Sequence, residues 1–327
     1  MLHNPRHLGY ALAFVGAALF STKAIFIKLA YQDRVDAALM LAWRMIFAMP
    51  FYAVIGVWAH KKRRDAGLPP PDRRTIALAC LTGFIGYYVA SQFDFAGLQY
   101  ISAQLERLVL FTYPIFIMLF GAALGGQRLT ASGLAAAAIT YTGLAIVFAI
   151  DLPVGGRNTV IGTVLVLGAA ISFAFHHLIA KSIIPALGSA LYTSIALLAA
   201  GVFCIVHQIV VSGDFSAPPR FLWLTLGCAI FATVLPTFLI NAGLARSSPQ
   251  SVAMISTISP LVTIGLAVAV LGETFTLADA IGSTLVLAGV ALFTWGEGRS
   301  AKDGLASTVS ADLPGDELDI VAPEKQP

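Results

Sequence analysis

Residues 96–130 read AGLQYISAQLERLVLFTYPIFIMLFGAALGGQRLT, and residues 242–276 read AGLARSSPQSVAMISTISPLVTIGLAVAVLGETFT. The two stretches align without a gap at an offset of 146 residues. Ala96-Gly97-Leu98 falls on Ala242-Gly243-Leu244, Ser102 on Ser248, Gln104 on Gln250, and Pro114 on Pro260. Gly126 falls on Gly272, Thr130 on Thr276, and, further on, Gly143 on Gly289. Glycine and proline carry most of this agreement. They mark turns and kinks, where backbone geometry restricts the choice of residue.

Outward from this pair, the chain is a series of apolar runs. Of its 327 residues, 58% are hydrophobic and 11% charged, and mean hydropathy is +0.83. Soluble domains hold roughly 45–50% apolar and about 25% charged residues, so this composition excludes an ordinary soluble enzyme and a disordered chain. A helix crossing the hydrocarbon core needs about 20 mostly apolar residues. Ten such runs are present, near 8–31, 37–59, 75–98, 103–125, 131–150, 160–181, 188–211, 221–242, 248–271 and 278–297. Each copy of the repeat holds five of them. An odd number makes the second copy enter the membrane from the opposite side, so the sequence predicts an all-α integral membrane protein with two inverted five-helix repeats. The first repeat is placed at 1–150 and the second at 151–297. The polar tail 298–327 is expected to be disordered and cytoplasmic.

Lys and Arg set the orientation. With the N-terminus in the cytoplasm, 13 basic residues fall in inner segments and three, Arg34, Arg157 and Arg220, in outer ones. Both termini are then cytoplasmic. The net charge of +3 is small and scattered, which excludes nucleic acid as a partner. Cys80, Cys204 and Cys228 all lie in apolar runs, so neither a disulfide framework nor a zinc site is expected. No phosphate-binding loop, nucleophile elbow or HExxH motif is present, and no cofactor is expected. No loop is long enough to hold a nucleotide domain, so work driven by ATP is not expected, and any energy must come from gradients of a solute, a proton or another ion.

The chain resembles the EamA-type drug/metabolite transporter superfamily from about residue 8 to 297. The most specific tracts are Tyr113-Pro114 through Gly126-Gln127-Arg128-Leu129-Thr130 and Ser259-Pro260 through Leu271-Gly272-Glu273-Thr274. Arg44, in Ala42-Trp43-Arg44-Met45, matches an arginine often found early in that family's second helix. The resemblance implies a secondary transporter of the bacterial inner membrane, exporting amino acids or related metabolites. The Leu-Gly-Glu turn is intact at Glu273 but reads Gly126-Gln127 in the first repeat, which implies that a carboxylate at that turn is not required for transport.

Charges inside the spans are the candidate site. Each costs about 2.5–3.5 kcal/mol at mid-membrane on insertion scales and normally faces the bundle interior or water. The first repeat holds Lys23, Lys28, Arg44, Asp94, Glu106 and Arg107. Hairpin geometry places Lys23 and Arg44 at matched depth, roughly 12 Å below the outer helix ends. It also lets Asp94 pair with Arg107, either as a structural lock or as part of the site. Lys28 is close enough to its helix end to reach the interface. Four cations against two anions leave a positive excess that suits an anionic or zwitterionic small molecule. Arg44 is expected to make the forked contact to its carboxylate and Lys23 to act as a point charge. Glu106 is the candidate proton carrier. Trp43, Tyr87, Tyr88 and Tyr113 are candidate cavity walls. His176 is a candidate contact at the inner face, with a packed, hydrogen-bonded histidine as the plainer account. The His176-His177 pair is rejected as a metal site, because adjacent helical residues point about 100° apart and no other ligand stands near. Pro114 and Pro260 are expected to kink helices four and nine and act as hinges. An integral-membrane enzyme, a channel and a scaffold without transport activity are the competing readings. Paired acids or a metal cluster at a membrane face would favour the first and rings of like residues the second. The third leaves four buried cations unexplained.

Overall fold

The computed structural model describes residues 5–125, 129–244 and 258–311, together with 246, 252, 255 and 256. Among these residues there is no strand. Helix one is split into α1 (Pro5–Ser21) and α2 (Lys23–Tyr31), and helix two is α3 (Ala37–Asp65). Helix three is α4 (Arg73–Gly83), a π turn (Phe84–Val89) and α5 (Ala90–Leu98). Helix four is α6 (Ala103–Leu110) and α7 (Tyr113–Gly125), and helix five is α8 (Ala131–Gly155). The second repeat continues with α9 (Arg157–Leu187) and α10 (Ser189–Val211). Then come α11 (Pro219–Ala229), a π turn (Ile230–Val234) and α12 (Leu235–Leu244). Helix nine contributes α13 (Ser259–Leu266) and a third π turn (Ala267–Leu271), and the last helix is α14 (Leu277–Ala311).

Nine helices among the described residues are long and apolar enough to span a membrane, and Ser259–Leu271 is a shorter apolar helix. It occupies the second half of the expected span 248–271. Large apolar side chains such as Phe14, Val54, Val206 and Trp223 stand exposed around the outside. In water this would be a liability, whereas in lipid it is the ordinary outer surface.

Helix starts follow from local chemistry. Asp36 Oδ1 accepts from Leu39 N–H at 2.7 Å, and Ser102 Oγ from Leu105 N–H at 3.1 Å, each satisfying an orphan donor of a helix N-terminus. Thr276 and Asp279 form a reciprocal capping box at the start of α14. Thr130, its counterpart in the first repeat, caps α8 through Gly133 N–H.

The packing has the symmetry of an inverted repeat. Helix one lies along helix eight (α1 on α12), and its counterpart, helix six, lies along helix three (α9 on α5). Helices two and seven (α3 and α10), four and nine (α6 and α13), and five and ten (α8 and α14) pair with their own counterparts. Each repeat thus builds its interior against the other. Backbones meet closely where glycines oppose each other, as at Gly143 and Gly282 between α8 and α14. A Cβ on either would run into the other's carbonyl oxygen.

Two expectations need adjustment. The first concerns the tail, where α14 continues to Ala311, so the disorder expected from residue 298 does not begin there. A helix already nucleated by its membrane span adds one hydrogen bond per residue at little entropic cost, and Ala301, Lys302, Leu305 and Ala306 are good helix formers. Residues 312–327 lie outside the described residues, as do Gly126, Gln127, Arg128, Ser248 and Gln250 of the repeat alignment. The second concerns the prolines. Pro114 and Pro260 do not kink continuous helices. Each is the second residue of a new helix after a break, where its missing N–H costs nothing.

Candidate functional site

The site begins at the break in helix one. Ser21 Oγ donates to Ala17 O at 2.7 Å and Thr22 Oγ1 to Leu19 O at 2.6 Å, so two short polar side chains compete for the helix carbonyls. Carbonyls freed at the break find partners from the helix four–nine pair. Arg107 Nη2 donates to Phe20 O at 3.4 Å, Thr263 Oγ1 donates to Ser21 O at 3.0 Å, and Arg107 Nε donates to Thr263 Oγ1 at 3.1 Å. Ser21 and Ser259 hydroxyls meet at 2.7 Å. An interrupted helix is tolerated at this depth because its polar backbone is satisfied by protein.

The break places Lys23 inside the bundle. Its Nζ lies 2.5 Å from Asp94 Oδ2 and 3.5 Å from Glu106 Oε1. This corrects the hairpin reading: Asp94 pairs with Lys23 and not with Arg107, and Lys23 is not an unneutralised cation. Depth along a hairpin says nothing about the third helix, and α5 packs directly against α2. Arg44 Nη2 donates to Ser91 Oγ at 3.3 Å, and its guanidinium lies 4.7 Å from the centre of the Phe95 ring. Its Nε has no hydrogen-bond partner. Among the described residues, Arg44 and Arg107 form no ion pair. The buried cluster therefore holds three cations and two carboxylates.

A cavity of about 470 Å³ opens beside this cluster. Lys23, Arg44, Asp94, Arg107, Tyr87, Tyr113 and His176 all line it. Glu106 does not; it is fully buried behind Lys23. Trp43 turns away, donating from Nε1 to Phe215 O at 3.1 Å in the loop before α11. Tyr88 also faces elsewhere, its hydroxyl 3.0 Å from His207 Nδ1. Both tyrosines 87 and 88 were expected in the wall, but neighbours on a helix diverge by about 100°, so only one reaches it. His176 stands edge-on to Tyr87 at 4.7 Å, with Nδ1 2.9 Å from Thr82 O. Gly86 makes room for the ring, since a Cβ there would overlap it. His177 Nδ1 bonds Phe173 O in its own helix. Among the described residues, no three His, Cys, Asp or Glu side chains converge as metal ligands.

Sequence reasoning missed several wall residues, including Phe20, Tyr52, Ser91, Thr233, Thr237 and Ser259. The repeat itself could have found three of them. Thr233, Thr237 and Ser259 stand 146 residues beyond Tyr87, Ser91 and Tyr113. Ser91 is one turn from Asp94 and Phe20 one turn from Lys23, so they share a face.

Glu273, in the turn kept from the Leu-Gly-Glu pattern, has a structural task. Its carboxylate accepts from Ala103 N–H at 2.8 Å and Gln104 N–H at 3.3 Å, at the N-terminus of α6. Gln104 Nε2 in turn donates to Thr274 O. A loop of the second repeat thereby holds the start of the helix that carries Glu106 and Arg107.

A lipid-facing bundle of paired inverted repeats around a buried polar cavity defines a membrane transporter. The family model for the EamA-like transporter family matches residues 7–149 and again 160–295, and the chain belongs to that family. A curated relative, described as "Uncharacterized transporter YcbK" of Bacillus subtilis (strain 168), is 27% identical over 289 residues, covering 84% of this chain and 88% of the relative. A solved crystal structure at 17% identity has the same fold, with a TM-score of 0.61 over 89% of this chain and 98% of that one.

Proposed function

We propose that the protein is a secondary exporter of a small polar metabolite, zwitterionic or anionic and of amino-acid type, working by alternating access without ATP or enzymatic chemistry. The observation that carries this reading is a cation in the cavity wall with spare hydrogen-bonding capacity. Arg44 lines the cavity and, among the described residues, has no acidic partner and keeps its Nε unbonded. A carboxylate would complete it through two parallel hydrogen bonds. Asp94 Oδ1, on the same wall, accepts no hydrogen bond and suits an amino group. Lys23, committed to two carboxylates, sets the position of Asp94 instead of contacting substrate.

Glu106 is the proton carrier in this reading. Its Oε1 and Asp94 Oδ2 both lie against the same cation, at 3.5 and 2.5 Å from Lys23 Nζ. Lys23 from helix one thus faces Glu106 at 3.5 Å, and Arg107 is the next residue along α6. The membrane is the bacterial inner membrane, with both termini in the cytoplasm. A cysteine placed at 213 then reacts with an impermeant thiol reagent in intact cells while one at 65 does not, and the reverse pattern would invert the assignment.

Ligand-induced thermal stabilisation of the purified protein, across an amino acid and its amide, tests the site. Wild type is stabilised by the acid and much less by the amide. Arg44→Gln loses the difference, and Arg44→Lys, which keeps charge without the fork, retains part of it. Equal stabilisation of Arg44→Gln and wild type by the acid would remove Arg44 from the site.

A further inference from the structure

A second cavity, of about 540 Å³, lies away from the charged cluster, between α3 and α10 on the outside of the bundle. Its walls are the apolar surfaces of Ala53, Val57, Ile195 and Leu198, and its mouth is formed by His60, Lys61 and Arg64. Among the described residues, no acidic side chain lines it. From Ala53 to Arg64 is eleven residues of helix, roughly 16 Å, so the groove is long, apolar along most of its length, and basic at one end only. That end is where α3 leaves the membrane and α10 begins.

One more feature lies inside it. Ser194, 1% exposed, lines the groove, and its hydroxyl has no hydrogen-bond partner. A serine in a helix normally returns its proton to the preceding turn. Opposite it stands Gly56, where a Cβ would lie 3.1 Å from the Ser194 Cβ. Glycine there leaves room for the serine, whose hydroxyl is buried at the groove wall.

We infer that this groove binds an anionic phospholipid from the leaflet on the side of the α3 C-terminus. The acyl chain lies between α3 and α10, the glycerol ester carbonyl accepts from Ser194 Oγ, and the phosphate sits among Lys61, Arg64 and His60. The order of chemistry along the groove, apolar, then a single donor, then cations, is the order of a phospholipid from tail to headgroup. Basic pockets between spanning helices are the usual setting for such lipids. A soluble anion would satisfy the mouth but would leave the apolar walls and the serine unused.

Native mass spectrometry of the purified full-length protein tests this, with dioleoylphosphatidylglycerol against dioleoylphosphatidylcholine, and with glycerol 3-phosphate as the free headgroup. Wild type should prefer phosphatidylglycerol by at least about tenfold, given two cations near the phosphate. The exposed double substitution Lys61→Gln/Arg64→Gln should abolish the preference without changing the monodispersity of the protein. Ala53→Trp, which fills the apolar wall, should weaken both lipids. Equal binding of the two lipids by wild type, or a preference that survives the double substitution, would overturn the inference. Glycerol 3-phosphate binding as tightly as the lipid would also overturn it, by making the mouth a free-anion site.

Discussion

Helices three and eight start at Arg73 and Pro219, and their π turns start at Phe84 and Ile230, in both cases 146 residues apart. Their backbones carry the same irregularity at the same place. One turn further into the bundle the side chains part company: Asp94 in helix three, Ile240 in helix eight. Helices four and nine differ in the same way. Both break before a proline, but Glu106 of the first faces Lys23 while its counterpart Val252 is a buried apolar residue. The repeats therefore share the mechanics of the fold and divide its chemistry. The π turns of helices three and eight and the interruptions before Pro114 and Pro260 are duplicated, whereas the break at Thr22 has no counterpart in the continuous α9 and the π turn of helix nine none in α7. The charges, which are expensive in a membrane, are kept in one copy. The second repeat contributes hydroxyls and rings to the opposite wall, at Thr233, Thr237, Ser259 and His176.

The largest effect expected from this asymmetry is at Lys23. Lys23→Met leaves two carboxylates buried without their shared cation, and loss of one partner of a buried ion pair costs about 3–5 kcal/mol. The substituted protein should be nearly absent from membranes. The triple substitution Lys23→Met/Asp94→Asn/Glu106→Gln should recover much of the abundance without recovering transport. Restored transport in the triple variant would place the chemistry outside the cluster and break the comparison.

Glu106→Gln isolates coupling. The neutral isostere should keep substrate exchange near the wild-type rate but lose pH-driven net transport in reconstituted vesicles, by about tenfold or more. Retained pH-driven transport would make Glu106 a structural partner of Lys23 alone.

The prolines test whether the duplicated mechanics are equivalent. Pro114→Ala and Pro260→Ala should each slow turnover of reconstituted protein several-fold with little change in abundance, because an alanine supplies the N–H that lets the broken halves join. Unchanged turnover in both would reduce the breaks to packing features. A response in one alone would show that the repeats move unequally.

The smallest effect is expected at the helix starts. Helix three is capped by Asp72, whose Oδ1 accepts from Thr75 N–H at 2.5 Å, whereas helix eight begins with Pro218-Pro219. Hydrogen bonds from Thr75 hold the Asp72 carboxyl below its usual range. A carboxyl lowered on folding stabilises above its unfolded value, about 3.9, and loses that contribution as pH falls through the lowered folded value. Asp72→Ala should thus lower the melting temperature slightly at neutral pH and not at all in strong acid. A deficit that persists in acid would mean that the cap does not act through its charge.

Much of this could be read from residues alone, for a definite reason. Membrane spans, the repeat and its inversion depend on composition, counting and parity, which are properties of the chain. The expense of intramembrane charge singled out Lys23, Arg44, Asp94, Glu106 and Arg107 without coordinates. Their partners were not legible. Adjacent helices in a hairpin suggested Asp94 with Arg107, but a helix bundle brings together helices that are not neighbours in sequence. Trp43 and Tyr88 were misplaced because composition gives depth and not rotation about the helix axis.

The sequence by itself thus determined how many times the chain crosses the membrane, that its halves are inverted copies, and which residues are too costly to be incidental. Only the tertiary structure decided that Asp94 reaches Lys23, that Arg44 and Arg107 have no acidic partner among the described residues, and that Glu273 of one repeat holds a helix of the other. The physical reason is that hydropathy acts on each residue separately, whereas pairing depends on which helix faces which, and that is set by packing across the whole bundle.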